Sequence, residues 1–387
     1  MSNSTLPDDA LLTPNAAGLA RAGQLLRDGK LVVLPTETVY GIALNLHSPD
    51  ARAAARALKG TGASPNWVLH LAQPEDVLAW APGVSQIGRR LILKALPGPI
   101  AFQIKLSQTD LAAARERLGS AADEAISPEG TMTFRVPEFP STQQILAAVK
   151  FPVAIMGVGG GGAYEPTDVP ESLIAGTNNS AAPVAAILDG GRTRYRTSST
   201  LVRIEDAAGK KGGDGQFSVV RPGVIDERII QRLADYLILF VCSGNTCRSP
   251  MAASIATRIL ADKLRIQPSE LPLRHIVVQS AGVHAARGMR ATREAVEAVK
   301  AFNGELSSHL SQGASLDLLR RADVIYTMTD AHRQEVLDAL PAAGRKTLRL
   351  DPEGDIDDPI GSGMSVYKQV AGHLADVLHK RLSELQI

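Results

Sequence analysis

Cysteine is scarce in this chain: 387 residues contain only two. A disulfide framework is excluded, and the count fits a reducing compartment such as the cytoplasm. Charge of one sign is also lacking, since 41 Lys and Arg meet 40 Asp and Glu, for a net charge of +1. Both sides of Tyr236 are near neutral as well. With no basic field, direct nucleic-acid or membrane-surface binding is not expected. No apolar run reaches the roughly 18 residues of a membrane span. The stretch Met1 to Leu12 is polar and acidic without a basic n-region, which predicts no secretory signal. Gly (34) and Pro (23) stay below the level of low-complexity chains. What is present is an ordinary globular composition, 44% hydrophobic and 21% charged. At about 150 residues per domain, the length asks for more than one.

Strand and helix patterns alternate throughout, an α/β signature. In the first part, Leu31–Leu34, Trp67–Leu71, Ile100–Leu106, Thr131–Val136, Val153–Met156 and Leu201–Ile204 read as strands. Ala51–Lys59 reads as a helix, and Glu205–Gln216 as a solvated hairpin loop rich in Gly, Lys and Asp. Val224–Tyr236 is expected to be a helix leading into a second domain. Beyond it, Leu237–Val241, His275–Gln279, Asp323–Thr327 and Thr347–Leu350 read as buried strands. Helical stretches lie between or after them, at Pro250–Leu264, Thr292–Phe302, Leu316–Arg320, Ala331–Ala339 and Ser365–Leu385. This alternation predicts a small doubly wound sheet of four parallel strands. The expected domains are 1–228 and 236–387.

Both cysteines fall in one short loop, Cys242-Ser-Gly-Asn-Thr-Cys-Arg-Ser-Pro-Met251, between a strand and a helix. Loop N–H groups and a helix start converge on one spot, and Arg248 is placed to grip two phosphoryl oxygens. The same field favours Cys242 as a thiolate nucleophile. Ser249 is placed to donate a hydrogen bond to that sulfur. Gly244 and Asn245 are residue types that tolerate the left-handed backbone such a loop needs. Pro250 suits a first helical turn. Ser243, Thr246 and Cys247 complete the phosphate cradle. No histidine spacing points to a metal.

This C-x-x-x-x-x-R-S loop resembles the low-molecular-weight protein tyrosine phosphatase family, over roughly Leu237 to the end of the chain. The resemblance implies a cofactor-free and metal-free phosphatase acting on phosphoprotein through a phosphocysteine. It implies a general acid on a late Asp-Pro loop. Asp358-Pro359 is the better candidate, followed by Asp357 and by Asp351-Pro352. Ser280-Ala-Gly282 and Met328-Thr329 resemble pocket-rim positions, although turn residues at strand ends would look the same. Thr246 stands where tyrosine phosphatases of the family usually carry Ile, and resembles the protein arginine phosphatase branch. Ile360 replaces the aromatic ring that both branches place after the Asp-Pro pair. The resemblance also implies a reversible Cys242–Cys247 disulfide, the alternative being that Cys247 is a small packing residue. Arsenate reductases of this fold need a third cysteine and are excluded.

In the first half, Pro35-Thr-Glu-Thr-Val-Tyr-Gly41 resembles the signature of YrdC-type threonylcarbamoyl-AMP synthases. Lys59, His70, Leu96-Pro-Gly-Pro99, Phe134-Arg-Val-Pro137, Ser198-Ser-Thr200 and Val220-Arg-Pro-Gly223 follow in family order, over roughly Ala16 to Ile225. The resemblance implies a twisted mixed sheet with helices, and a cleft for ATP, L-threonine, bicarbonate and Mg2+. It implies partner proteins that use the product in transfer-RNA modification. Lys59, Arg135 and Arg221 are candidates for neutralising triphosphate or carboxylate. Thr36, Thr38 and Ser199 offer hydroxyls to threonine or to metal-bound water, and His70 would fix the threonine group. Three departures stand out. The family's Lys-x-Arg is Lys59-Gly60-Thr61, its following Pro-rich pattern is rearranged, and Gly157–Gly162 replaces a Ser-x-Asn. Two readings remain open for this half: a synthase with altered ligands, or a non-catalytic nucleotide-binding module that regulates the phosphatase.

Overall fold

The computed structural model describes residues 10–59, 67–157, 184–205 and 215–385; Lys59 is described by its backbone alone. The chain divides into two compact units, Met1–Ala234 and Asp235–Ile387.

The first unit is built on a ten-stranded sheet. Its strands are β1 (Leu11–Leu12), β2 (Leu31–Leu34), β3 (Gly41–Asn45), β4 (Val68–His70), β5 (Ile100–Lys105), β6 (Thr131–Arg135), β7 (Val153–Gly157), β8 (Val184–Leu188), β9 (Thr200–Glu205) and β10 (Gln216–Arg221). Their order is β1-β8-β2-β3-β7-β4-β6-β5-β9-β10. Pairing is mixed: β2–β8, β4–β6 and β5–β9 are parallel, whereas β2–β3, β3–β7 and β5–β6 are antiparallel. In β2, Leu31 and Val33 join one core and Val32 and Leu34 the other. A strand covered on both faces reads as a continuous apolar run, which is why this one is plain in sequence. The helix Ala16–Arg27 closes one face through Ala22, Leu25 and Leu26. Helices Pro49–Lys59 and Gln86–Ala95 close the other through Ala51, Ala55, Ile87, Leu91 and Ile92.

The second unit carries four strands, β11 (Tyr236–Cys242), β12 (Ile276–Gly282), β13 (Val324–Thr327) and β14 (Thr347–Arg349). They are all parallel, in the order β12-β11-β13-β14. The chain leaves β11 for β12 on one side, then returns to β13 on the other. The topological switch therefore falls beside the carboxyl end of β11, where open α/β sheets bind ligands. Ile238 and Phe240 pack with Met251, Ile255, Leu374 and Leu378 of helices Arg248–Leu264 and Met364–Ser383. Leu237, Leu239 and Val241 pack oppositely with Leu318, Leu319 and Val336 of helices Leu316–Arg321 and Asp330–Ala339. Each such buried side chain contributes roughly 1.5–3 kcal/mol.

Several sequence expectations are corrected. The helix expected over Val224–Tyr236 is Glu227–Ala234, because Tyr236 already pairs with Ile276 as the first residue of β11. His275 is not in a strand: it caps a 3-10 turn with φ of 54°, and β12 begins one residue later. Ser280-Ala-Gly282 is the last part of β12 itself, paired with Phe240–Cys242, and not a turn after it. Glu205 and Gln216 face each other in the β9–β10 ladder, so the expected loop is shorter, and 206–214 lie outside the described residues. Thr292 is the N-cap of a helix that runs to Val299 and tightens into a 3-10 turn over Lys300–Phe302.

Candidate functional site

At the carboxyl end of β11 the chain turns through Ser243–Cys247 into the helix Arg248–Leu264. Cys242 is buried and its sulfur lies 3.0 Å from Ser249 Oγ. The Asn245 N–H donates to the same sulfur at 3.3 Å. Asn245 makes the turn with φ of 54°, a left-handed conformation that asparagine tolerates better than most side chains. Its side chain then uses every polar atom. Nδ2 donates to Ser249 Oγ (3.0 Å) and Ser280 Oγ (2.8 Å), and Oδ1 accepts the Gln312 N–H (2.9 Å). The Asn245 carbonyl accepts from His309 Nε2 at 2.8 Å, which fixes the proton of that ring on Nε2. Pro250, at the third helical position, lacks an N–H that the helix would leave unpaired anyway.

The loop is moulded against the end of β12. Val283 and His284 N–H groups donate to the Cys242 and Ser243 carbonyls at 2.9 and 3.0 Å. A Cβ on Gly282 would stand within 2.3 Å of the Ser243 carbonyl oxygen and 2.9 Å of the Asn245 nitrogen. Only glycine fits that contact.

Arg248 is held beneath the loop with its side chain 7% exposed. Nη1 donates to the Ile356 carbonyl at 3.2 Å, and Nη2 approaches Ser243 Oγ at 3.4 Å and Asp358 Oδ2 at 2.5 Å. Asp358 is 43% exposed and its Oδ1 accepts the Ile360 N–H, an Asx turn that orients the carboxylate. Ile360 itself is exposed. The two other acid candidates are not placed alike. Asp357 is exposed. Asp351 is buried and engaged elsewhere, with His373 at 2.7 Å and the Glu353 N–H at 2.9 Å. Burial pushes the Asp351 carboxyl up, but the Glu353 N–H, His373 and Arg349 together hold it below its ordinary value.

Both cysteines are free and buried. Cys247 faces Tyr367 Oη at 3.4 Å, Thr292 Oγ1 at 3.6 Å and Thr246 Oγ1 at 3.7 Å. Burial and the hydrogen bond to Cys247 push the Tyr367 hydroxyl up to about 12. Met328 is buried behind the loop, and Thr329 caps the helix Asp330–Ala339. His332 on that helix reaches Ser243 Oγ with Nε2 at 2.8 Å. Sequence reading did not single out His332, His309 or Gln312. Only the Thr-x-x-His spacing of an N-cap pointed to the first of them.

In the first unit, a cleft of 360 Å3 gathers Thr36, His70, Arg135, Ser199 and Arg221, with Gly157 at its edge. Thr38 stands behind it, fully buried, 2.9 Å from Thr36 Oγ1 and 2.7 Å from Arg135 Nη2. Arg135 is not an uncommitted cation: Nη2 also pairs with buried Glu37 at 2.7 Å, while its Nε is buried without a partner among the described residues. Glu37 lies inside the quoted Pro-Thr-Glu-Thr motif, yet nothing in the motif alone revealed its partner. Burial and the Arg135 charge lower the pKa of His70 to about 3. Nδ1 of this neutral ring bonds the Val68 carbonyl at 2.9 Å, so Nδ1 carries the proton and Nε2 is an acceptor. Burial, then Arg135, hold Arg221 below its ordinary value. The Lys59 side chain, Thr61 and Val158–Gly162 lie outside the described residues. Among the described residues no group of three His, Cys, Asp or Glu is placed to hold a metal, and no helix is long and apolar enough to cross a membrane.

Comparison with known proteins agrees with both halves. The model of the Low molecular weight phosphotyrosine protein phosphatase family matches residues 237–386. The Sua5, YciO and YrdC family model, described as Telomere recombination, matches residues 24–223. A protein-arginine-phosphatase of Geobacillus stearothermophilus is 33% identical over 156 residues, covering 39% of this chain and 97% of the relative. The low molecular weight protein-tyrosine-phosphatase PtpB of Staphylococcus haemolyticus is 32% identical over 146 residues, 37% of this chain and 95% of the relative. A threonylcarbamoyl-AMP synthase of Bacillus subtilis is 26% identical over 198 residues, 50% of this chain. The chain spans only 52% of that relative's length. The chain belongs to the low-molecular-weight phosphatase family through its second unit and to the Sua5/YrdC family through its first. It is an enzyme that joins the two.

Proposed function

We propose that residues 236–387 form a cofactor-free phosphatase domain acting on phosphoprotein, with phosphoarginine preferred to phosphotyrosine. Cys242 Sγ attacks phosphorus, the sulfur–phosphorus bond forms, and the bond to the leaving nitrogen or oxygen breaks. Asp358 gives its proton to the leaving atom. In the second step Asp358 takes a proton from water, whose oxygen displaces the sulfur and releases inorganic phosphate. Arg248 and the loop N–H groups of Ser243–Cys247 neutralise the three phosphoryl oxygens. The observation that carries this reading is the convergence of Ser249 Oγ and the Asn245 N–H on the Cys242 sulfur, with Arg248 bridging to Asp358 at 2.5 Å. The phosphoarginine preference is supported by Thr246 in the loop and by the arginine-phosphatase relative.

Residues 1–228 we read as a domain that binds ATP and L-threonine and, with bicarbonate, forms threonylcarbamoyl-adenylate for partner proteins that modify transfer RNA. The cleft that unites Thr36, His70, Arg135, Ser199 and Arg221 supports this. Among the described residues that line it there is no carboxylate. Magnesium would enter on the nucleotide's phosphates, as Mg2+ commonly does. The alternative, a regulatory nucleotide-binding module, is favoured by Thr61 in place of a cation.

Parallel assays on a phosphoarginine and a phosphotyrosine protein substrate, with Cys242→Ser as control, test the first reading. Faster phosphoarginine hydrolysis that vanishes in Cys242→Ser is expected, and hydrolysis indifferent to Cys242→Ser overturns it. Pyrophosphate release that requires ATP, threonine and bicarbonate together supports the synthase, and ATP binding without turnover supports the module.

A further inference from the structure

His332 has no part in the chemistry just described, yet its ring is buried against the residue that follows the nucleophile. Its backbone N–H donates to Thr329 Oγ1 at 3.2 Å, the helix cap, and its Nδ1 lies 2.8 Å from the same oxygen. The threonine oxygen already accepts the N–H. Its own proton finds one acceptor among the described contacts, His332 Nδ1. A ring that accepts at Nδ1 carries its proton on Nε2 and donates it to Ser243 Oγ, 2.8 Å away. Arg248 Nη2 approaches the same oxygen at 3.4 Å. Both lone pairs of the serine then face donors, and its hydroxyl proton is left for the space beside the guanidinium.

Resting on the phosphatase reading, we infer that His332 is a positioning residue that turns Ser243 into an obligatory hydrogen-bond donor to the substrate's phosphoryl group. A serine without this constraint offers lone pairs as readily as a proton, and lone pairs repel an oxyanion. The ring is neutral in the working range: burial, then the Arg248 charge, lower its pKa to about 4, against the opposing pull of Asp358 and Asp355 and with a small contribution from His284. Neutrality is what makes the choice of tautomer decisive.

The test has two arms on the full chain. Imidazole 15N NMR of the wild-type protein is expected to show His332 protonated at Nε2 and bare at Nδ1, and the opposite tautomer overturns the inference. Calorimetric titration with inorganic phosphate is expected to show His332→Ala and Ser243→Ala each weakening binding roughly tenfold, the loss of one hydrogen bond to a charged group. The double variant should bind no worse than either single one. His332→Gln, which restores a donor near Nε2, should recover most of the affinity. Unchanged binding in His332→Ala, or additive losses in the double variant, overturns the inference. Failure of the phosphatase reading registers separately, as absence of Cys242-dependent hydrolysis in a wild type that still binds phosphate.

Discussion

Arg248 Nη2 and Asp358 Oδ2 stand 2.5 Å apart, so the cation proposed to receive the phosphoryl group also holds the proposed acid in place. The proposed donor is thereby tethered before substrate arrives. Asp358→Asn is expected to lower kcat by roughly a hundredfold or more, the usual worth of a positioned acid. KM should change little, since the amide still accepts from Arg248. The loss should shrink for aryl phosphates with good leaving groups, and a leaving-group series measures that slope.

Asn245 satisfies three neighbours with one side chain while adopting φ of 54°. Asn245→Ala strands the Gln312 N–H and removes donors to Ser249 and Ser280. A stability loss of about 2 kcal/mol or more is expected in the second unit from the lost and unsatisfied bonds. Denaturant unfolding followed by a probe within that unit measures it. Asn245→Gly loses the same bonds without the strain that alanine meets at this φ, and should be the less destabilised of the two.

The buried Glu37–Arg135 pair makes an opposite kind of prediction for the first unit. Glu37→Ala leaves a buried guanidinium without its counter-charge, and a cost of roughly 3–5 kcal/mol is expected. Because Glu37 also accepts the Glu138 N–H at 2.9 Å, Glu37→Gln should recover part of it. Thermal unfolding of the two variants side by side is the measurement.

Two histidines contribute to the acid limb of stability. His332 and His70 titrate near 4 and 3 in the fold against an ordinary 6.5. Between those values the unfolded chain binds protons that the native one refuses, so stability rises with pH there. It is fully present above 6.5 and is lost as pH falls toward 4 in the second unit and toward 3 in the first. His332→Gln should flatten this dependence in the second unit, and urea midpoints between pH 4 and 8 would show it.

The continuous apolar runs at Leu31–Leu34 and Leu237–Val241 were legible because both faces of each strand are buried. Gly41–Asn45 and Val184–Leu188 were not read as strands: one starts with Gly, the other is a short run preceded by two alanines and a proline, and pairing with neighbours defines both. Short helices such as Pro74–Trp80 escaped for want of two full turns of periodicity. The strand–loop–helix placement of Cys242–Arg248 and the Ser249–Cys242 contact were legible, since anion chemistry constrains type and spacing together. His332 and Gln312 were not, because they reach the loop from 89 and 67 residues away in sequence, and only tertiary packing assembles such contacts. The same holds for Glu37, whose partner lies 98 residues on.

Gly282 pressed against Ser243 and Asn245 has a kinetic meaning. In the proposed phosphatase, a loop braced this tightly against sheet backbone would need no rearrangement energy to take up a phosphoryl group. Encounter and capture then become nearly the same event. Any side chain at position 282 would convert a standing receptor into one that must be rebuilt with every turnover.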